Sequence, residues 1–151
     1  DDAGSLGDRL ARLGGELVVE VLHGLAEGTA EPVPQDDTRA TTTPRLGPEA
    51  RRIDWGQPAG AVVRRVRAFA PEPGARTAFR GRPLKVLRAR SADVAGPAPA
   101  GTVAEVDAEG FVVAAADGGV RVVEVAPAGK RRMPASEFVR GHRPRPGEPM
   151  A

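Results

Sequence analysis

The chain has 151 residues, enough for one full domain or for one domain with a piece of another. Its 40% hydrophobic and 28% charged residues are ordinary for a globular protein, and the absence of cysteine excludes disulfide staples and thiolate metal sites. The formal net charge of +2 conceals an asymmetry: residues 1–37 hold 9 acids against 2 bases, whereas residues 38–151 hold 11 acids against 20 bases, an excess that points to a polyanionic partner such as nucleic acid.

Leu6, Leu10, Leu13, Leu17, Val21 and Leu25 recur at steps of three and four, which predicts an amphipathic helix over 5–25. Ser5 and Asp8 have the spacing of a capping box, and Gly24 or Gly28 supplies the stop. No apolar segment nearby can cover that stripe, and the chain starts at Asp1 rather than at methionine. The helix is therefore expected to close a domain whose remainder precedes residue 1. From Thr29 to Arg52, Pro32, Pro34, Pro44 and Pro48 sit in a polar, aperiodic segment that reads as an extended linker.

A second helix is predicted after Pro58, with Ala59, Val62, Val63, Val66 and Ala70 on one face and Arg64 pointing away. Pro71 and Pro73 end it. From Arg76 the period becomes two, giving strands at Thr77–Phe79, Leu84–Arg90, Gly101–Asp107, Phe111–Ala115 and Val120–Ala126. Turns are expected at Gly81–Pro83, 95–101, 107–110 and 117–119. A short helix follows over Ala135–Arg140, and the Pro-rich basic tail is expected to fray. Five short strands after one helix predict a mainly β architecture, a small antiparallel barrel.

The ordered segments "RLARLGGELV" and "PQD", then "RIDW", "VRAFAPEPGARTAFRGRPLKVLRA", "GTV" and "PAGKRRMPASEFVRG" resemble the C-terminal part of the methionyl-tRNA formyltransferase family. The resemblance runs from about Leu6 to Gly147. It implies an OB-fold-like barrel with an entry helix over 53–151, a linker over 29–52, and residues 1–28 as the terminal helix of an N-terminal, Rossmann-like formyltransferase domain. It also implies initiator Met-tRNA as partner and 10-formyltetrahydrofolate as co-substrate of the full enzyme. No cofactor is expected in this fragment, and none of its residues matches the family's catalytic Asn, His and Asp, so by itself it is expected to be inactive. A monomer in the cytoplasm, with no membrane contact, is expected. Departures are Arg45 after three threonines and a proline, where an aromatic residue and a lysine are usual, and Glu72 where tryptophan is usual.

The candidate sites follow. "GKRRM" lacks the second glycine and the hydroxyl of a Walker-type loop. Two readings stay open for Lys130, Arg131 and Arg132: a solvated loop with Met133 turned inward, or cations held at a barrel rim against tRNA phosphates. The resemblance favours the second. Lys85 and Arg88 on the second strand, Arg64 on the entry helix and Arg143 in the tail complete the expected tRNA-binding set, with Arg88 and Arg90 placed on the face of Leu84 and Val86. Asp54 is expected to cap the entry helix or to pair with an arginine, and Trp55 to pack against that helix rather than to stack on a base. With 4 Phe and 1 Trp in the chain, recognition of a folded RNA through its backbone fits better than base stacking. The rival expectation is a structural or interaction barrel of a related formyltransferase, acting on sugar nucleotides or hydrolysing folate, with no tRNA.

Overall fold

A computed structural model describes residues 1–151. The first helix, α1, spans Ala3–Glu27. Its cap is not Ser5 but Asp2. The Asp2 carboxylate accepts the Ser5 N–H at 2.8 Å, and Ser5 Oγ accepts the Asp2 N–H at 3.0 Å. Starting two residues earlier puts Ser5 at the reciprocal third position and leaves Asp8 inside the helix. Gly28 ends α1 at φ 72°. No residue of α1 is buried, and Leu10, Leu13, Leu17 and Leu25 stay 54–58% exposed. The helix is anchored through its first turn, where the Gly4 N–H donates to the Ala70 carbonyl at 3.0 Å and Arg67 Nε donates to the Asp1 carbonyl at 2.7 Å. Residues 28–47 are almost wholly exposed and hold one short 3-10 turn, Asp37–Arg39. A second, Pro48–Arg51, leads toward the entry helix.

Helix α2, Ala59–Phe69, buries Ala59, Val62 and Val66 as its spacing predicts. Its first N–H group is capped from a distance: Asp117 Oδ1 accepts the Ala59 N–H at 2.7 Å. Asp54 caps a local turn instead, accepting from the Gly56 N–H and from Gln57 Nε2, each at 2.9 Å.

Six antiparallel strands follow: β1 Ala75–Phe79, β2 Arg82–Ala92, β3 Val103–Val106, β4 Phe111–Ala115, β5 Gly118–Pro127 and β6 Met133–Pro134. Their order is β1-β2-β5-β4-β3, with β6 added on β5. The β1–β2 turn lies one residue before its expected place, at Arg80–Gly81, where both φ angles are positive (49° and 72°). Two positive φ values in a two-residue loop match the twist of a hairpin. One cluster of 19 buried residues forms the core, drawn from α2, all the long strands and the last helix, α3 Ala135–His142. Phe138 of α3 enters between Phe79 and Phe111, with ring centroids 5.6 and 5.7 Å away.

Two expectations need correction. Arg88 and Arg90 do not share the face of Leu84 and Val86. The β2–β5 register shifts between Val86 and Arg88 and again before Ala89, so Leu87 is an extra residue and the alternation reverses beyond it. Leu84 and Val86 are buried, while Arg88 and Arg90 are exposed. The tail, moreover, does not fray. The strands alone do not close a ring, since β1 and β3 are unpaired with each other, and residues 147–151 lie between them. The Ala151 N–H donates to the Ala78 carbonyl at 3.0 Å on the β1 side. Gly147 N–H and Val103 carbonyl, and Val103 N–H and Glu148 carbonyl, pair at 2.8 Å on the β3 side. Met150 is only 2% exposed and belongs to the core. Burial of that side chain and pairing on two edges outweigh the intrinsic disorder of a Pro-rich terminus.

Candidate nucleic-acid interface

The "GKRRM" loop is a reversal between β5 and β6. Its turn is closed by the Lys130 N–H donating to the Pro127 carbonyl at 2.9 Å. Gly129 stands third in that turn at φ 72°, a conformation that glycine adopts without strain. Ala128 N–H donates to the Pro83 carbonyl at 3.1 Å and ties the loop to the start of β2. Lys130, Arg131 and Arg132 are exposed, whereas Met133 pairs with Val125 and packs half-buried against the core.

The loop overhangs an open cleft of about 750 Å³. Lys130, Arg131 and Arg132 line it from the loop, and Lys85 and Leu87 of β2, Arg76 of β1 and Arg51 before α2 are among the residues that complete its lining. Six cations therefore face one space whose lining holds a single acid, Glu72. Lys85 Nζ lies 3.2 Å from Glu72, Arg131 Nη2 3.0 Å from Glu137, and Arg132 Nε 3.7 Å from Glu124. Arg51, Arg76 and Lys130 have no carboxylate partner. Exposed pairs of this kind contribute only about 0–1 kcal/mol, so a stronger anion can displace the carboxylate, at that cost. Lys130 also borders an adjoining hollow of about 460 Å³, which adds Arg80, Arg82 and His142.

Of the expected site residues, the structure brings Lys85, Lys130, Arg131 and Arg132 together. It does not bring Arg88, Arg64 or Arg143 to the cleft. Arg88 lies beyond the bulge opposite Glu124, Arg64 projects from the exposed side of α2, and Arg143 caps α3 in a left-handed conformation. Arg51 and Arg76 were not expected. Arg76 had a signal in the sequence, because a two-residue turn at Arg80–Gly81 makes Arg76 the direct partner of Lys85. Arg51 had none, since its position depends on how residues 48–51 coil.

The lone tryptophan is a packing residue. Trp55 is 5% exposed and its Nε1 donates to Thr77 Oγ1 at 3.1 Å. His142 stacks on Phe138, with centroids 4.2 Å apart and planes 14° from parallel, and His23 is exposed on α1. No group of three or more His, Asp and Glu side chains is gathered as a metal site, and no helix is long and apolar enough to cross a membrane.

Comparison with known proteins places this geometry. The family described as formyl transferase, C-terminal domain, matches residues 45–143. Methionyl-tRNA formyltransferase of Solibacter usitatus is 43% identical over 143 residues, 95% of this chain and 45% of its own length. That of Roseiflexus castenholzii is 44% identical over 146 residues, 96% of this chain and 46% of its own length. The chain thus spans about half the length of the relatives it matches, and corresponds to their C-terminal part. Among solved structures, HypX from Aquifex aeolicus in a multiply substituted form superimposes with a TM-score of 0.68 at 24% identity, covering 84% of this chain and 23% of that one. The same protein in complex with tetrahydrofolic acid gives a TM-score of 0.64 at 25% identity over 82% of this chain and 22% of that one. The barrel-like sheet, its entry helix and the matched residues agree: the chain belongs to the formyl transferase C-terminal domain family.

Proposed function

We propose that this chain is the tRNA-binding part of a methionyl-tRNA formyltransferase, and that it orients initiator Met-tRNA by gripping its phosphates. The observation that carries the reading is the cleft, where Lys85, Lys130, Arg131 and Arg132 meet Arg51 and Arg76 around one acid. Cations on a rigid rim neutralise phosphates and release counterions, which gives affinity and register without reading bases. Phe and Trp side chains are absent from the lining, which fits backbone recognition of a folded RNA. In this reading residues 1–28 close the formyltransferase domain, 29–52 link, and 53–151 form the tRNA-binding domain. Formylation itself, with 10-formyltetrahydrofolate as co-substrate, belongs to the whole enzyme in the cytoplasm.

A second reading is a barrel that serves a related formyltransferase without tRNA; its support is the likeness to HypX, a protein solved in complex with tetrahydrofolic acid. Six cations around one cleft with a single acid weigh toward the tRNA reading, because a polyanion answers that charge. Mobility-shift titration of the chain with initiator and elongator tRNAs separates the two. The tRNA reading predicts binding of both at comparable affinity in low salt; absence of binding there overturns it in favour of the second.

A further inference from the structure

We infer that the phosphate-gripping part of the cleft is the trio Arg51, Arg76 and Lys130, and that Glu72 is a built-in competitor that weakens the grip. The inference rests on the tRNA reading above and deepens it. Arg76 and Lys85 are direct partners across the β1–β2 ladder, both on its outer face. Like charges placed opposite each other in a sheet destabilise it. The fold relieves only one of them. Glu72, 78% exposed, reaches Lys85 Nζ at 3.2 Å and leaves Arg76 unanswered.

The same division runs round the cleft. Arg131 and Arg132 each face a carboxylate, Glu137 and Glu124, whereas Arg51 and Lys130 face none. A phosphate arriving at a paired cation must displace a carboxylate. At an unpaired cation it displaces only counterions and water, so the full electrostatic gain appears as binding. The three unpaired cations come from three separate elements, the 48–51 turn, β1 and the β5–β6 loop. They stand on neighbouring segments, since Arg52 bridges Arg76, Arg76 pairs with Lys85 and Lys85 with Ala126, and so offer a row of cations along which a phosphodiester backbone can lie. Glu72 adds a negative charge to the path and holds Lys85 aside.

The test is the salt dependence of total-tRNA binding by the 151-residue chain and its single variants. Arg51→Ala, Arg76→Ala and Lys130→Ala should each lower the magnitude of the log–log salt slope by about 1. Arg131→Ala should lower it by clearly less. Glu72→Gln should tighten binding by about two- to fivefold, the worth of one exposed ion pair. That gain also cannot come from a folding defect. If the wild type binds with a salt-dependent affinity but Arg51→Ala and Arg76→Ala keep its slope, or Glu72→Gln binds no more tightly, the inference is overturned while the tRNA reading stands. If the wild type does not bind in low salt, the tRNA reading fails.

Discussion

Glu148 holds Arg80 through both carboxylate oxygens: Arg80 Nη2 lies 2.7 Å from Oε1 and 3.0 Å from Oε2, and Nε lies 3.0 Å from Oε1. Arg80 Nη1 also donates to the His142 carbonyl at 3.0 Å. One guanidinium thereby ties the β1–β2 turn to the end of α3 and to the tail that bridges β1 and β3. The tail in turn delivers Met150 to the core. Met150→Ala should lower unfolding free energy by about 2–5 kcal/mol in urea titrations, the usual cost of such a truncation in a core. A change within ±0.5 kcal/mol, the range of surface substitutions, would show that the tail is not part of the fold.

Acid should weaken the same closure. Glu148 is held below the usual carboxylate range first by the Arg145 N–H, against some desolvation, and then by Arg80. Burial acts to raise Asp107, but the Arg121 guanidinium and the Glu109 and Gly110 N–H groups outweigh it, so its pKa is also lowered. A depressed folded pKa stabilises the protein above the unfolded value, near 4, and that contribution is lost as pH falls through the folded one. Melting temperature should therefore be flat in these terms above about pH 5 and fall below about pH 4. Asp107→Asn combined with Glu148→Gln should flatten that fall; a wild-type acid slope in the double variant would exclude both groups.

Asp117 caps α2 from the β4–β5 turn, 58 residues away in sequence. Asp117→Ala should cost about 0.5–2 kcal/mol, and Asp117→Asn, which keeps an acceptor oxygen, much less. Chemical denaturation of the pair checks this; equal losses would mean that the charge, not the hydrogen bond, matters.

Because Trp55 is the only tryptophan and is buried, its fluorescence reports the fold and not the RNA. Emission should be blue-shifted, resist acrylamide, and stay unshifted when tRNA saturates the cleft. Thr77→Val, which removes the hydroxyl that accepts the indole N–H, should destabilise the chain by about 1–3 kcal/mol. A tRNA-dependent spectral shift would instead place Trp55 at the interface.

Local pattern was readable wherever one face decided the structure. The face of α2 follows from periodicity, and the short apolar run Phe111–Ala115, bounded by turn residues, reads as a strand that the structure buries at every position. What escaped depends on partners distant in sequence. The bulge at Leu87 exists only against β5, and a single extra residue reverses the faces of Arg88 and Arg90. The tail is ordered by two edges that lie about 45 and 70 residues before it, and no local signal of a Pro-rich segment announces that. The cleft was half legible: its loop wall and Lys85 were named, while Arg51 and Arg76 joined them through the topology.

Proposed tRNA binding through phosphates at the cleft has its sharpest readout in the salt slope of binding. The wild-type chain and the Lys130→Ala, Arg131→Ala, Arg132→Ala triple variant should be titrated with tRNA at several salt concentrations. Phosphate binding requires steep salt dependence for the wild type and a slope shallower by roughly 1–3 for the triple variant, with similar losses across different tRNAs. A variant that binds with the wild-type slope would contradict it.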